Sequence, residues 1–177
     1  MITISDIQTY KGITITNTAF YNNLISYVTA MINSITNRTL TVADYTEYLN
    51  GEEFNILSLK NYPVNTLTSI SYVDKNGVAT IINSTDYSTD LDSGEITFDY
   101  NLCKGIRNYK VIYNAGYATI PNDLKLIALQ ILTDIESNIN KNTTIKSESL
   151  GDYSYTLANQ EEIKNNYKNL LSKYIKY

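Results

Sequence analysis

The apolar residues Phe20, Leu24, Tyr27, Val28, Met31, Ile32 and Ile35 return at three- and four-residue steps, the spacing that stacks side chains on one face of a helix. Thr16 or Asn17 stands where an N-cap is needed, so the spacing predicts an amphipathic helix running to about Asn37. A shorter helix is expected ahead of it over about residues 6 to 11, capped by Ser5 and ended by Gly12. From Thr41 the period shortens. Tyr45, Glu47 and Leu49 lead into Asn50-Gly51, with Phe54, Ile56 and Leu57 beyond. That predicts a hairpin, because Asn-Gly accepts the positive φ of a type I′ turn. Further strands are expected on either side of Lys75-Asn76-Gly77, around Asp92-Ser93-Gly94, and from Tyr109 to Tyr113.

Helical spacing returns after Ile120-Pro121, where Pro suits a first turn and Asp123 places negative charge at a helix N-terminus. Leu124, Ile127, Ala128, Ile131, Ile135 and Ile139 form one stripe, and Leu126, Leu129 and Leu132 widen it, which predicts a helix buried on more than one side. A polar loop from Asn140 to Asn159 separates it from a last helix, roughly Gln160 to Lys176. The layout is helix, helix, antiparallel β block, helix, loop, helix. The expected fold class is therefore α+β: a small helical bundle, 1–40 and 117–177, with an inserted antiparallel β-sheet module, 41–116, forming a single domain over 1–177.

Charge narrows the functions open to such a fold. The chain has 14 Lys and Arg against 18 Asp and Glu, and only Arg38 and Arg107 offer a guanidinium, so clamping of nucleic-acid phosphates is disfavoured. The β block alone carries ten acidic against five basic side chains over residues 42 to 113, in keeping with one solvated sheet face. No stretch of 18 apolar residues occurs, and the start of the chain lacks a basic region followed by an apolar run, so no membrane association is expected and a soluble intracellular product is.

There is no histidine, which removes Ser-His-Asp and Cys-His catalysis and His-ligated metals. Cys103 is the sole cysteine and reads as a small core or strand residue. Asp90-Leu-Asp92-Ser-Gly94-Glu95 has the look of a calcium loop, but Gly comes one position early and Asn101 stands where a bidentate Glu is required, so a tight turn is expected there. The glycines form no phosphate-binding fingerprint. Glu52-Glu53 and Glu161-Glu162 sit beside a turn and in a first helical turn, where solvation and the helix dipole account for them. The expectation is no enzyme activity, no catalytic residues, no metal and no cofactor.

Tyr outnumbers Phe 17 to 3. Tyr is enriched where protein surfaces meet, and an AT-rich genome also inflates it; both readings stand. The last helix carries Lys164, Lys168, Lys173 and Lys176 against two Glu. Its residues Ile163, Tyr167, Leu170, Leu171 and Tyr174 have the anchor spacing for a partner's groove, with folding back onto the bundle as the alternative.

The order of these signals resembles the head-tail connector, or adaptor, proteins of tailed bacteriophages. The likeness is carried by Ile4-Ser-Asp-Ile-Gln-Thr-Tyr-Lys11, by the helix ending in Asn37-Arg38, and by Leu59-Lys-Asn-Tyr-Pro-Val64 leading into Ile70-Ser-Tyr-Val-Asp74. It continues in Val111-Ile-Tyr-Asn-Ala-Gly-Tyr117 with Ile120-Pro121-Asn-Asp-Leu124, and in Ser147-Glu-Ser-Leu-Gly-Asp-Tyr-Ser154. The resemblance implies a structural virion protein at the head-tail interface, assembled in the host cytoplasm as a homo-oligomeric ring of about twelve subunits under the portal protein. DNA would pass through its channel without specific binding. It implies that Ile163, Tyr167, Leu170, Leu171 and Tyr174 bind the portal. The loop with Lys146, Ser149, Leu150, Gly151, Asp152 and Tyr153 is the expected contact to a neighbouring subunit or to the next ring, a downstream neck or tail-completion protein. The alternative is another neck or tail-completion protein of the tail side. Removing residues 160 to 177 is expected to leave a folded bundle.

Overall fold

Local chemistry sets where each helix begins and ends. The computed structural model of the chain describes residues 1–140, 147–150, 153–156 and 160–176. Helix α1, Ile4–Lys11, starts at Thr3 rather than Ser5. Thr3 has Asp6 three positions on, and the pair forms a reciprocal box in which the Thr3 hydroxyl accepts from the Asp6 amide at 3.2 Å and the Asp6 carboxylate accepts from the Thr3 amide at 2.8 Å. Gly12, at φ 65°, ends it. Helix α2, Thr18–Thr36, is capped by the Asn17 side chain, which accepts from the Phe20 amide, and Asn37 at φ 56° closes it.

The chain divides into two compact units, residues 1–38 with 120–177, and residues 39–119. In the first, α2 packs on α3, Asn122–Asn140, and α4, Gln160–Lys168, touches both. Leu24, Val28, Met31 and Ile32 of α2 are buried, as are Leu124, Ala128, Ile131 and Leu132 of α3. Tyr27 and Leu126, expected on those apolar faces, are exposed. The last helix is shorter than expected. It stops at Lys168, and a turn leads into a short 3₁₀ segment, Ser172–Tyr174. The polar loop also differs from expectation, since Ser147–Leu150 (β8) and Tyr153–Thr156 (β9) pair antiparallel with Leu150 opposite Tyr153.

The second unit packs two sheets over one core. Strands β1 (Ala43–Gly51), β3 (Val64–Val73), β4 (Ala79–Ile81) and β7 (Gly105–Ala115) form a sheet of order β1-β7-β3-β4. Strands β2 (Ile56–Ser58), β5 (Tyr87–Asp90) and β6 (Glu95–Phe98) form another, of order β2-β6-β5. Alternate residues of β7, namely Tyr109, Val111, Tyr113 and Ala115, point into a shared core with Ile70, Ile96, Phe98, Leu57 and Leu59. The turns at Lys75-Asn76-Gly77 and Asp92-Ser93-Gly94 form as expected, with Gly77 at φ 81° and Gly94 at φ 73°.

Asn50-Gly51 does not turn. Gly51 continues β1 opposite Gly105, and the Asn50 side chain accepts from the Arg107 amide at 2.7 Å. Gly51 is needed there for space, because a Cβ would fall on the Cys103 carbonyl oxygen and within 2.7 Å of the Tyr109 ring. Cys103 is exposed in the loop before β7 rather than in a core or strand.

Candidate assembly surfaces

Helix α3 is the beam to which the rest of its unit is tied. Three of its carboxylates each accept a phenol from a different segment: Asp123 from Tyr174 at 2.9 Å, Asp134 from Tyr167 at 2.8 Å and Glu136 from Tyr21 at 2.6 Å. Lys11 adds an ion pair to Glu136, and Lys173 one to Asp123. Burial works against the charge on Glu136, but the hydrogen bonds from Lys11 and Tyr21 outweigh it and hold the carboxyl below its ordinary value. Burial first, then the bond to Asp134, drives the Tyr167 phenol far upward, so it stays a protonated donor. Each of these three carboxylates is already engaged by a phenol of another segment. They brace a scaffold.

The five expected portal-binding residues separate. Ile163, Tyr167, Leu171 and Tyr174 are buried within their own unit, and only Leu170 is exposed, at 53%. The segment is strapped down beyond its apolar face. Buried Arg38 donates from Nε to the Tyr174 carbonyl at 2.8 Å, and the Lys176 amide donates to the Thr36 carbonyl at 3.1 Å. Full burial of a Leu or Ile is worth about 1.5–3 kcal/mol, so removing residues 160 to 177 would strip core from the bundle rather than spare it. Sequence periodicity shows that an apolar face exists, not what covers it.

Of the expected ring-contact residues, Lys146, Gly151 and Asp152 lie outside the described residues. Ser149, Leu150 and Tyr153 belong to the β8–β9 hairpin, Ser149 opposite Ser154 and Leu150 opposite Tyr153.

Sequence reasoning passed over one end of the β unit. Asn50, Gly51, Glu52, Phe54, Lys104, Gly105 and Ile106 line an open concavity of about 400 Å³ there. Phe54 and Ile106 stand 69% and 85% exposed. Side chains hold this end in place: the Gly51 amide donates to Asn108 at 2.8 Å, Asn108 donates to the Cys103 carbonyl at 2.9 Å, and the Cys103 amide donates to the Tyr109 hydroxyl at 3.0 Å. Glu53 and Arg107 adopt positive φ, 63° and 53°, a conformation that persists in non-glycine residues where surrounding contacts enforce it. Arg107 lies over the Tyr48 ring at 5.0 Å.

Among the described residues, no three His, Cys, Asp or Glu gather in a metal-holding group, and no helix is long and apolar enough to cross a membrane. A sequence model described as "head completion protein" matches residues 1–175. No curated protein matches the chain. Among solved structures, a chain in the neck of an empty gene transfer agent (GTA) particle with C6 symmetry matches at TM-score 0.61 and 14% identity, over 94% of this chain and 88% of that one. A chain in the neck of a native GTA particle with C12 symmetry matches at TM-score 0.57 and 15% identity, over 88% and 81%. A third, from the virion of a native gene transfer agent, matches at TM-score 0.59 and 16% identity, over 93% and 80%. At these identities the likeness is one of fold.

Proposed function

The chain belongs to the head completion protein family, and on that footing we propose that it is a structural head-tail connector that assembles as a ring of about twelve copies under the portal protein. In this role it extends the DNA channel between capsid and tail, performs no catalysis, and resides in the virion after assembly in the host cytoplasm. The observation that carries the reading is the family match over residues 1–175. The C6 and C12 necks that share its fold support a closed ring. The net charge of -4 suits a conduit, since a wall that paired with many phosphates would retain the DNA it must pass.

The C-terminal segment meets the portal with Leu170, its exposed apolar side chain, while Ile163, Tyr167, Leu171 and Tyr174 hold the segment in place until a partner groove replaces their present one. The β8–β9 hairpin contacts the neighbouring copy or the next ring.

Electron microscopy of the purified chain mixed with the portal from the same phage tests this, with portal alone as control. An added layer with the portal's rotational symmetry is expected. Bare portal rings at high protein concentration would instead put the chain on the tail side of the neck, as a tail-completion protein.

A further inference from the structure

Among the described residues, the four-stranded sheet of the β unit ends in two different strands, β1 and β4, each paired on one side, and their edges match each other. Tyr48, Lys110, Ser71 and Ile81 form one row across the sheet, Tyr48 pairing with Lys110, Lys110 with Ser71, and Ser71 with Ile81. Paired residues of neighbouring strands share a face, so Tyr48 at the β1 edge and Ile81 at the β4 edge lie at one level on the same side. Strands β1 and β3 run one way, and β7 and β4 the other. A copy of this sheet set beside the first therefore brings β4 against β1 antiparallel, continuing the alternation. A closed ring needs such a pair of unlike, complementary surfaces on every subunit.

Both edges carry exposed apolar groups. Ile81 is 74% exposed and Val78 59%, and β4 bears no charge at all. An uncharged strand edge of this kind is a template for pairing. The β1 edge does carry an inward charge, Glu47, a device that usually blocks strand addition. Here its carboxylate is already held inside the unit by the Tyr113 hydroxyl at 2.7 Å and the Lys60 amide at 3.0 Å, so a strand laid alongside would not strand it without partners. Charges also match at the end of the row. The turn between β3 and β4 presents Lys75, while Asp74 is occupied by the Asn76 and Val78 amides. At the same end, Glu52 follows β1, and Glu53 beside it pairs with Lys104.

We propose that a second copy of this chain is the occupant: β4 of one copy adds antiparallel to the β1 edge of the next, with Ile81 against Tyr48, Val78 over the concavity floored by Gly51 and Gly105, and Lys75 facing Glu52. This interface rests on the ring reading and names the surface that closes the ring.

The test uses the full chain with Cys103→Ser, Tyr48→Cys and Ile81→Cys, assembled on portal protein, oxidised and run on a non-reducing gel. Strand neighbours have Cα atoms about 4.5–5.5 Å apart, within disulfide reach. The expected result is a ladder extending past the dimer for the double-cysteine chain, dimers at most when the two single-cysteine chains are mixed, and monomers for each alone. A dimer from Ile81→Cys alone would mean that β4 pairs with itself and would overturn the proposal. So would the absence of bonds while microscopy shows the ring layer, which leaves the ring reading standing. If no layer forms with the unmodified chain, the ring reading fails and takes this interface with it.

Discussion

Arg38 Nε lies 2.8 Å from the carbonyl oxygen of Tyr174, joining the end of α2 to the end of the chain across 136 residues, and Arg38 is only 3% exposed. Arg38→Met keeps much of the side chain's bulk but leaves that carbonyl without this donor, at a cost of about 1–3 kcal/mol. The loss should be local. Hydrogen exchange is expected to speed up over residues 163 to 176 far more than over α2 or α3, and a uniform change across the unit would contradict the strap.

Tyr167→Phe removes one hydroxyl from the Asp134 pair and is expected to cost about 1 kcal/mol, more if Asp134 stays dry. Tyr27→Phe, at a residue 38% exposed, should change stability by less than about 0.5 kcal/mol. Urea unfolding of the two variants beside the parent chain compares them directly, and equal effects would deny the phenol any bracing role.

Glu136 gives a pH signature. Its carboxyl is held below the ordinary value of 4.5 in the folded chain, so the unfolded chain takes up the proton first as pH falls. The stabilisation is therefore complete above about pH 5 and disappears as pH drops through the folded value. Glu136→Gln should be less stable than the parent at pH 7, and the gap should close toward pH 3. Denaturation curves that keep a constant gap over that range would exclude the linkage.

Two glycine substitutions should fail for different reasons. Gly77 has open space around it, so Gly77→Ala carries only the strain of its positive φ, roughly 1 kcal/mol. Gly51→Ala drives a methyl into the Cys103 carbonyl and the Tyr109 ring, which calls for about 1–3 kcal/mol and displacement of the loop. Thermal unfolding should rank Gly51→Ala as the worse of the two, and the reverse order would mean that the loop yields easily.

Leu170→Asp isolates the portal contact. The residue is 53% exposed, so thermal stability should hold within about 0.5 kcal/mol while attachment to the portal falls at least tenfold. Attachment at the parent's affinity, measured by sedimentation with portal rings, would remove Leu170 from the interface.

These variants also mark where sequence was readable. The stripes of α2 and α3 announce themselves because burial on a helix recurs at its own period. The Gly77 and Gly94 turns do too, since both glycines are demanded by φ. Gly51 is demanded by packing, and nothing local separates a glycine that turns from one that makes room. The α1 cap required weighing Thr3 with Asp6 as a pair instead of taking the nearest hydroxyl. The pairing of β8 with β9 was hidden because both strands lie in a polar stretch with too little of the apolar alternation that marks a strand. At the candidate surfaces, the spacing of Ile163, Tyr167, Leu171 and Tyr174 identified a face, and tertiary structure alone showed that the chain itself covers it. Phe54 and Ile106 are 52 positions apart, so no sequence window could have joined them at one concavity.

The phenol-carboxylate braces also bear on how this gene has been shaped. Tyr and Phe codons differ only at their middle base, A against T, so an AT-rich genome favours both alike and cannot by itself produce 17 of one against 3 of the other. Tyr21, Tyr113, Tyr167 and Tyr174 each spend a hydroxyl on an internal carboxylate. At those codons, a single-base drift to Phe loses a brace while leaving base composition untouched, and it would be selected against for the fold alone. Among the described residues, Tyr10, Tyr27, Tyr48 and Tyr100 are the tyrosines exposed on the surface, where a partner can reach them.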